Sequence, residues 1–163
     1  MVEQGVTYSV FIAGQLKAEY ERRVSLDARG LAVITSSGAF TTFVFALLVV
    51  LRGKDFVPTS AGKVAISFSL LLFVVSGVVG LYAAQLLGYH VIDLAAMKAM
   101  TKTRWIDDEV DARNACAVAN LKSIKTLREG NNKKAGRIVV AGALQLAAVG
   151  ALGVAIVLEV TLS

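Results

Sequence analysis

A single cysteine, a single histidine and a single proline stand among 163 residues, so several kinds of chemistry are excluded at the outset. One cysteine cannot close an intramolecular disulfide, and Cys116, in the alanine-rich "NACAVAN", is expected to serve as a small buried hydrophobe. Cysteine–histidine spacing for a metal, a glycine-rich phosphate loop and a nucleophile paired with a base are all missing. No enzyme and no cofactor are therefore expected. His90, in "LGYHVID", reads as a solvated residue at a membrane interface.

Charge is also scarce. Charged residues make up 18% of the chain, and the runs 31–51, 64–89 and 138–158 contain none. The chain is 56% hydrophobic with a mean hydropathy of +0.66, above the roughly 45–50% apolar content of soluble domains. Each run holds about 20 residues or more, enough at about 1.5 Å rise per residue to cross a hydrocarbon core of about 30 Å. A soluble bundle with three buried helices is disfavoured, because a chain this short cannot wrap three apolar helices in polar surface.

The expected fold is an all-α integral membrane protein. An amphipathic helix (1–30) leads to a first span (31–51), an external loop (52–63) and a second span (64–89). A cytoplasmic helical insert (90–137), continuous with the third span (138–158), and a short external tail (159–163) complete it. Residues 1–30 show no basic leader, so targeting is expected to fall to the first span. Basic residues number four before the first span, three between the first two and ten between the last two. An inside amino-terminus places fourteen of the seventeen on the cytoplasmic side of the membrane.

In 5–29, Val6, Val10, Ala13, Leu16, Tyr20 and Val24 recur at helical spacing, with Glu19 four residues ahead of Arg23. Acids and bases balance at four each in 1–30, so packing against another helix is preferred to binding anionic lipid. The insert holds no proline, and from Asp107 the positions Val110, 113–117, Leu121, Ile124 and Leu127 suggest a near-heptad stripe. Gly130, Asn131 and Asn132 weaken this helix without ending it, so a kink is expected there. "DDEVD" lacks the spacing of a calcium loop and reads as helix capping. Trp105 is an amphipathic anchor suited to a subunit contact or to headgroups. Lys122, Lys125, Arg128, Lys133, Lys134 and Arg137 form a basic run suited to anionic lipid or a nucleotide. The run lacks aromatics for base stacking, which disfavours nucleic acid.

Inside the spans, association needs small residues that let backbones approach. Ser76, Gly80, Ala84 and Gly88 recur at every fourth position, as do Ala143, Ala147, Ala151 and Ala155, and Gly38, Thr42 and Ala46. The first span carries "TSSGAFTT", where Thr35, Gly38, Thr41 and Thr42 share one face and Ser36, Phe40, Phe43 and Leu47 spread over another. That hydroxyl stripe suits helix packing or the lining of a pore, which would need several copies. Glu159 is the one ionisable group at the margin of a span.

"RRVSLDARG" before a Ser/Thr/Gly-bearing first span, and "NLKSIKTLREGNNKKAGR" before the last, resemble two kinds of small bacterial membrane protein. One is the transmembrane module of Pycsar-type antiphage effectors. The other is the set of actinobacterial integral membrane plasmid transfer proteins. The first resemblance implies a homo-oligomeric effector, triggered by a cyclic nucleotide or a partner sensor protein, that disrupts the inner membrane in abortive infection. The second implies a structural or scaffold subunit of a transfer apparatus. Membrane lipid is the partner common to both.

Overall fold

A computed structural model describes residues 2–52, 59–85 and 87–162. Residues 53–58 of the expected external loop, and residue 163 of the expected tail, lie outside the described residues. The described chain is built of helices: α1 (Val2–Arg52), α2 (Ser60–Ala84), α3 (Leu94–Met100) and α4 (Glu109–Leu162). Three of them, α1, α2 and α4, are long and apolar enough to cross a membrane. Membrane character thus follows from length and composition.

Local chemistry sets the ends. Thr59 caps α2, its Oγ1 accepting the Gly62 N–H at 3.1 Å. At the other end Gln85 turns out of the helix at ψ 142°, so α2 stops at Ala84 rather than continuing to 89. The expected insert is interrupted as well: 87–93 is non-helical, α3 spans only seven residues, and turns follow before α4. Asp108 starts α4 by accepting the Asp111 N–H on Oδ1 at 2.8 Å, with Glu109 and Asp111 in the first turn. From there α4 is helical through Gly130, Asn131 and Asn132.

The chain divides into two compact units. One comprises 26–52, 59–85 and 134–162, and so contains the apolar runs. In it α1 and α4 run parallel while α2 runs antiparallel to both. Ser76 meets Ala141 and Ser69 meets Ala148 on one side, while Gly80 meets Ile34 and Gly77 meets Ser37 on the other. Buried positions recur every seven residues: Gly30, Ser37 and Val44 on α1; Gly62, Ser69, Ser76 and Ala83 on α2; Lys134, Ala141, Ala148 and Ala155 on α4. A strict seven-residue repeat of this kind is the seam of helices that cross at a shallow angle. Small residues dominate it because membrane helices associate through close backbone approach. Val44, Phe73 and Ala148 form its apolar centre, with Phe40 stacked on Phe73 at 5.2 Å.

The other unit comprises 2–25 and 87–133. Here too α1 and α4 are parallel, Gly5 lying against Arg113 and Glu19 against Arg128. The connecting segment runs back along α4, since Leu87 packs on Gly130, His90 N–H donates to Thr126 Oγ1, and Met100 and Trp105 border Ala112 and Cys116.

Candidate functional site

The polar groups that link the helices of the apolar unit lie on its inner seam. Gln145 of α4 aims its Nε2 at three acceptors on α1: Val33 O at 3.1 Å, Ser36 Oγ at 2.8 Å and Ser37 Oγ at 2.8 Å. Two N–H groups serve three acceptors, so two are satisfied at a time. Ser37 then faces Ser76 of α2 at 3.5 Å, and Ser76 donates to Ala141 O of α4 at 2.7 Å. One helical turn or two further along, Ser69 donates to Ala148 O at 2.7 Å. These bonds tie all three helices together where water is absent.

Charged groups close both ends of the seam. Lys134, whose side chain is 1% exposed, pairs with Asp27. Near the opposite end Glu159 accepts the Thr59 N–H at 3.0 Å and the Thr59 hydroxyl at 2.9 Å. Its carboxylate thus lies at the positive end of α2. It reaches that place because residue 62 is glycine, for a Cβ there would overlap the carboxylate. Arg137 donates to Tyr82 O at 2.6 Å. Among the described residues, no buried side-chain N or O atom lacks a partner.

The small and hydroxyl residues singled out by the sequence divide between inside and outside. Ser76 and Gly80 are buried, Gly80 against Val33 and Ile34, and Ala84 touches Gly30. Ala155 is buried and Ala151 half-buried, whereas Ala143 and Ala147 are exposed. Gly88 is exposed, with open space where a Cβ would be. Thr35 and Thr42 are exposed and donate to carbonyls one turn back, Leu31 O and Gly38 O, both at 3.0 Å. Thr41, half-buried, donates to Ser37 O at 2.8 Å, and Gly38 is exposed. The face of α1 that packs within the chain is therefore Gly30, Ser37 and Val44, one step around from Thr35, Gly38 and Thr42. Ser37, Ser69, Gln145, Asp27 and Thr59 were missed by the search for fourth-position ridges. The seven-residue interval marks Ser37 and Ser69, whereas Gln145, Asp27 and Thr59 stand three or four positions to the side of that seam and carry no such signal.

The second unit has an ionic seam. Buried Glu19 accepts from Arg128 Nε at 2.8 Å and from Asn131 Nδ2 at 3.0 Å, with Arg22 at 3.6 Å. Burial alone would raise the Glu19 pKa; the Arg128 and Asn131 hydrogen bonds and the two guanidinium charges outweigh it and hold the carboxyl below its ordinary value. Tyr20 meets Tyr89 edge-on at 5.7 Å, and the Arg23 guanidinium lies 4.6 Å from the Tyr89 ring centre. Burial and then the neighbouring Tyr89 push the Tyr20 hydroxyl up.

Three expectations change in this unit. The apolar stripe of Val6, Val10, Ala13 and Val24 is exposed, because Gly5, Ser9, Ile12 and Glu19 occupy the α4-facing side. Cys116 is exposed rather than buried. The basic run is not one surface: Arg128 and Lys134 hold carboxylates and Arg137 a carbonyl, leaving Lys122, Lys125 and Lys133 exposed without a described ion pair. Trp105 is exposed, and among the described residues no three His, Cys, Asp or Glu side chains converge as a metal site.

Fold and seam together define an all-helical membrane protein whose span polarity is turned inward. Compared with models of protein families, with curated proteins and with solved structures, the chain matches none.

Proposed function

We propose that the chain is a non-enzymatic subunit of a multi-copy membrane assembly, inserted in a bacterial inner membrane with its amino-terminus and the 87–133 segment in the cytoplasm. The observation that supports this most is the seam itself. Ser69, Ser76 and Gln145 bond to other helices of the same chain, so the seam between the three helices spends its polar groups within the chain and offers none of them to a water-filled path. Such a bundle is an anchor, and the second unit is what it presents to partners. The resemblance to plasmid transfer proteins fits this reading. The test is to count copies by single-molecule photobleaching in native membranes and to assay growth on overexpression. Several copies per complex with normal growth supports a scaffold; a single copy per complex overturns it.

A second reading, a membrane-permeabilising effector of the antiphage kind, is favoured by one observation. Thr35, Gly38 and Thr42 lie on the outside of α1, where a ring of copies would turn them toward a common lumen. Exposed Lys122, Lys125 and Lys133 would then meet an anionic trigger such as a cyclic nucleotide or a partner sensor protein. Induction in cells carrying a potential-sensitive dye separates the readings. Depolarisation that disappears when Thr35, Gly38 and Thr42 become leucine supports the effector, and an unchanged potential with the neighbouring genes supplied overturns it.

A further inference from the structure

The first turns of α4 carry apolar surface on two flanks. On one, Val110, Asn114, Ala117, Val118 and Leu121 form a groove with Tyr8 and Ile12 of α1, enclosing about 300 Å³. Its floor exists because Gly5 leaves room for the Arg113 guanidinium, 3.2 Å from where a Cβ would stand. The other flank, at Ala112, Ala115 and Cys116, is bordered by Trp105. Trp105 is 76% exposed there, and Ile106, the next residue, is 89% exposed. At about 100° per residue the two sets of α4 positions point in roughly opposite directions, and they occupy the same three turns. A projecting apolar pair thus stands level with an apolar groove and across the helix from it.

This arrangement selects an occupant. Copies of one chain in one membrane share a single orientation, so a rotation about the membrane normal relates them. A projection on one flank and a groove on the other, at one level, is the geometry of a head-to-tail contact that closes into a ring. A groove of about 300 Å³ is at the floor of the range for small-molecule sites and suits inserted side chains better.

We infer that Trp105 and Ile106 of one copy insert into the Tyr8, Val110, Val118 and Leu121 groove of the next, making a heterologous ring contact. The inference rests on the multi-copy reading above and adds its interface. The test uses the full chain in native membranes with Cys116→Ala, adding Ile106→Cys and Val118→Cys singly and together, then a short bismaleimide. A ladder beyond the dimer that needs both cysteines is expected, and Trp105→Ala with Tyr8→Ala should cut it by about tenfold or more while helix content is unchanged. Dimers from Ile106→Cys alone, or no ladder although both thiols accept a monofunctional maleimide, overturns the inference. Trp105 is the only tryptophan, so its quenching by brominated lipid in those membranes, showing burial in lipid instead, also overturns it. Photobleaching on the same samples keeps the two readings apart: several copies without a ladder sinks this interface alone, and a single copy sinks both.

Discussion

The two units pair the same two long helices in parallel, yet they fill the interface with opposite chemistry. Between 26 and 162 it holds glycine, alanine, hydroxyls and one amide around Val44 and Phe73, with Lys134–Asp27, Arg137 and Glu159 toward its ends. In the other unit buried Ile124 and Leu127 are joined by the ionic group of Glu19, Arg128 and Asn131. The outer surfaces differ in turn: the spans expose aliphatic residues and aromatics such as Phe43, Phe45 and Phe68 with few hydroxyls, and the second unit exposes Val10, Phe11, Trp105 and Ile106 amid its charges. Helix pairing by itself therefore does not dictate interior chemistry. On the topology proposed above, solvent accounts for the difference, since hydrocarbon favours close backbones with hydroxyls returned to carbonyls, and water tolerates an ion network.

The sharpest challenge to this comparison is the ion pair in the apolar unit. Asp27→Ala leaves the buried Lys134 ammonium without its carboxylate and should cost about 3–5 kcal/mol in a mixed-micelle unfolding titration. Asp27→Leu with Lys134→Met removes both charges and should fold nearly as well as the parent. If the single and double variants lose equally, the pair is solvated and the contrast between units weakens. Gly62→Ala comes next, because its methyl must displace Glu159 from Thr59; on the order of 1–3 kcal/mol is expected from such overpacking. The loss should shrink in a Glu159→Ala background, which a double-mutant cycle measures directly. Gln145→Leu removes the amide that joins α4 to Ser36 and Ser37 and should cost about 0.6–1.7 kcal/mol, the scale of hydrogen bonds between membrane helices.

Glu19 gives the ionic seam a pH response of its own. Because the folded Glu19 carboxyl titrates below its ordinary value of 4.5, its contribution is whole above that value and fades as pH falls through the lower folded one. Acid should thus loosen 2–25 from 109–133 first, seen as faster amide exchange there, and Glu19→Gln should flatten that dependence. Equal acid sensitivity in both units would count against the assignment.

Much of the helical layout was legible because it depends on composition along the chain. Charge-free runs of 21 to 26 residues, with the one proline of the sequence outside all three runs, require helices wherever backbone groups meet lipid. The seam was harder to see, for two reasons of geometry. Fourth-position ridges and seventh-position seams share members such as Ser76 and Ala155, and an alanine-rich helix offers both at once. Only the partner chooses: Ala141 and Ala148 are covered because Ser76 and Ser69 sit opposite, and Ala143 and Ala147 look outward. On α1 the hydroxyl stretch contains both kinds of residue side by side. Ser36 and Ser37 are reached by Gln145, which lies 108 residues away from Ser37. Nothing local to "TSSGAFTT" distinguishes them from Thr35 and Thr42. The α2 end at Ala84 was hidden similarly, since the sequence of 85–89 is uncharged, while Gln85 turns out of the helix and Leu87 O accepts from Arg23 at 3.1 Å.

The smallest effect is expected from the outward face. Thr35 and Thr42 bond only to carbonyls of their own helix, and a Cβ at Gly38 meets nothing within 4 Å. Thr35→Leu, Gly38→Leu and Thr42→Leu should therefore each change the stability of the isolated chain by no more than about 0.5 kcal/mol, as at other sites without tertiary partners. The measurement is the same mixed-micelle titration, run where photobleaching shows single copies. A loss above that range would mean that these residues pack inside the chain after all, and the inward assignment of Ser37 and Val44 would have to be redrawn. A loss seen only where copies associate would instead locate a contact between copies on this face, and it would do so without disturbing the seam, because the two faces of α1 share no side chain.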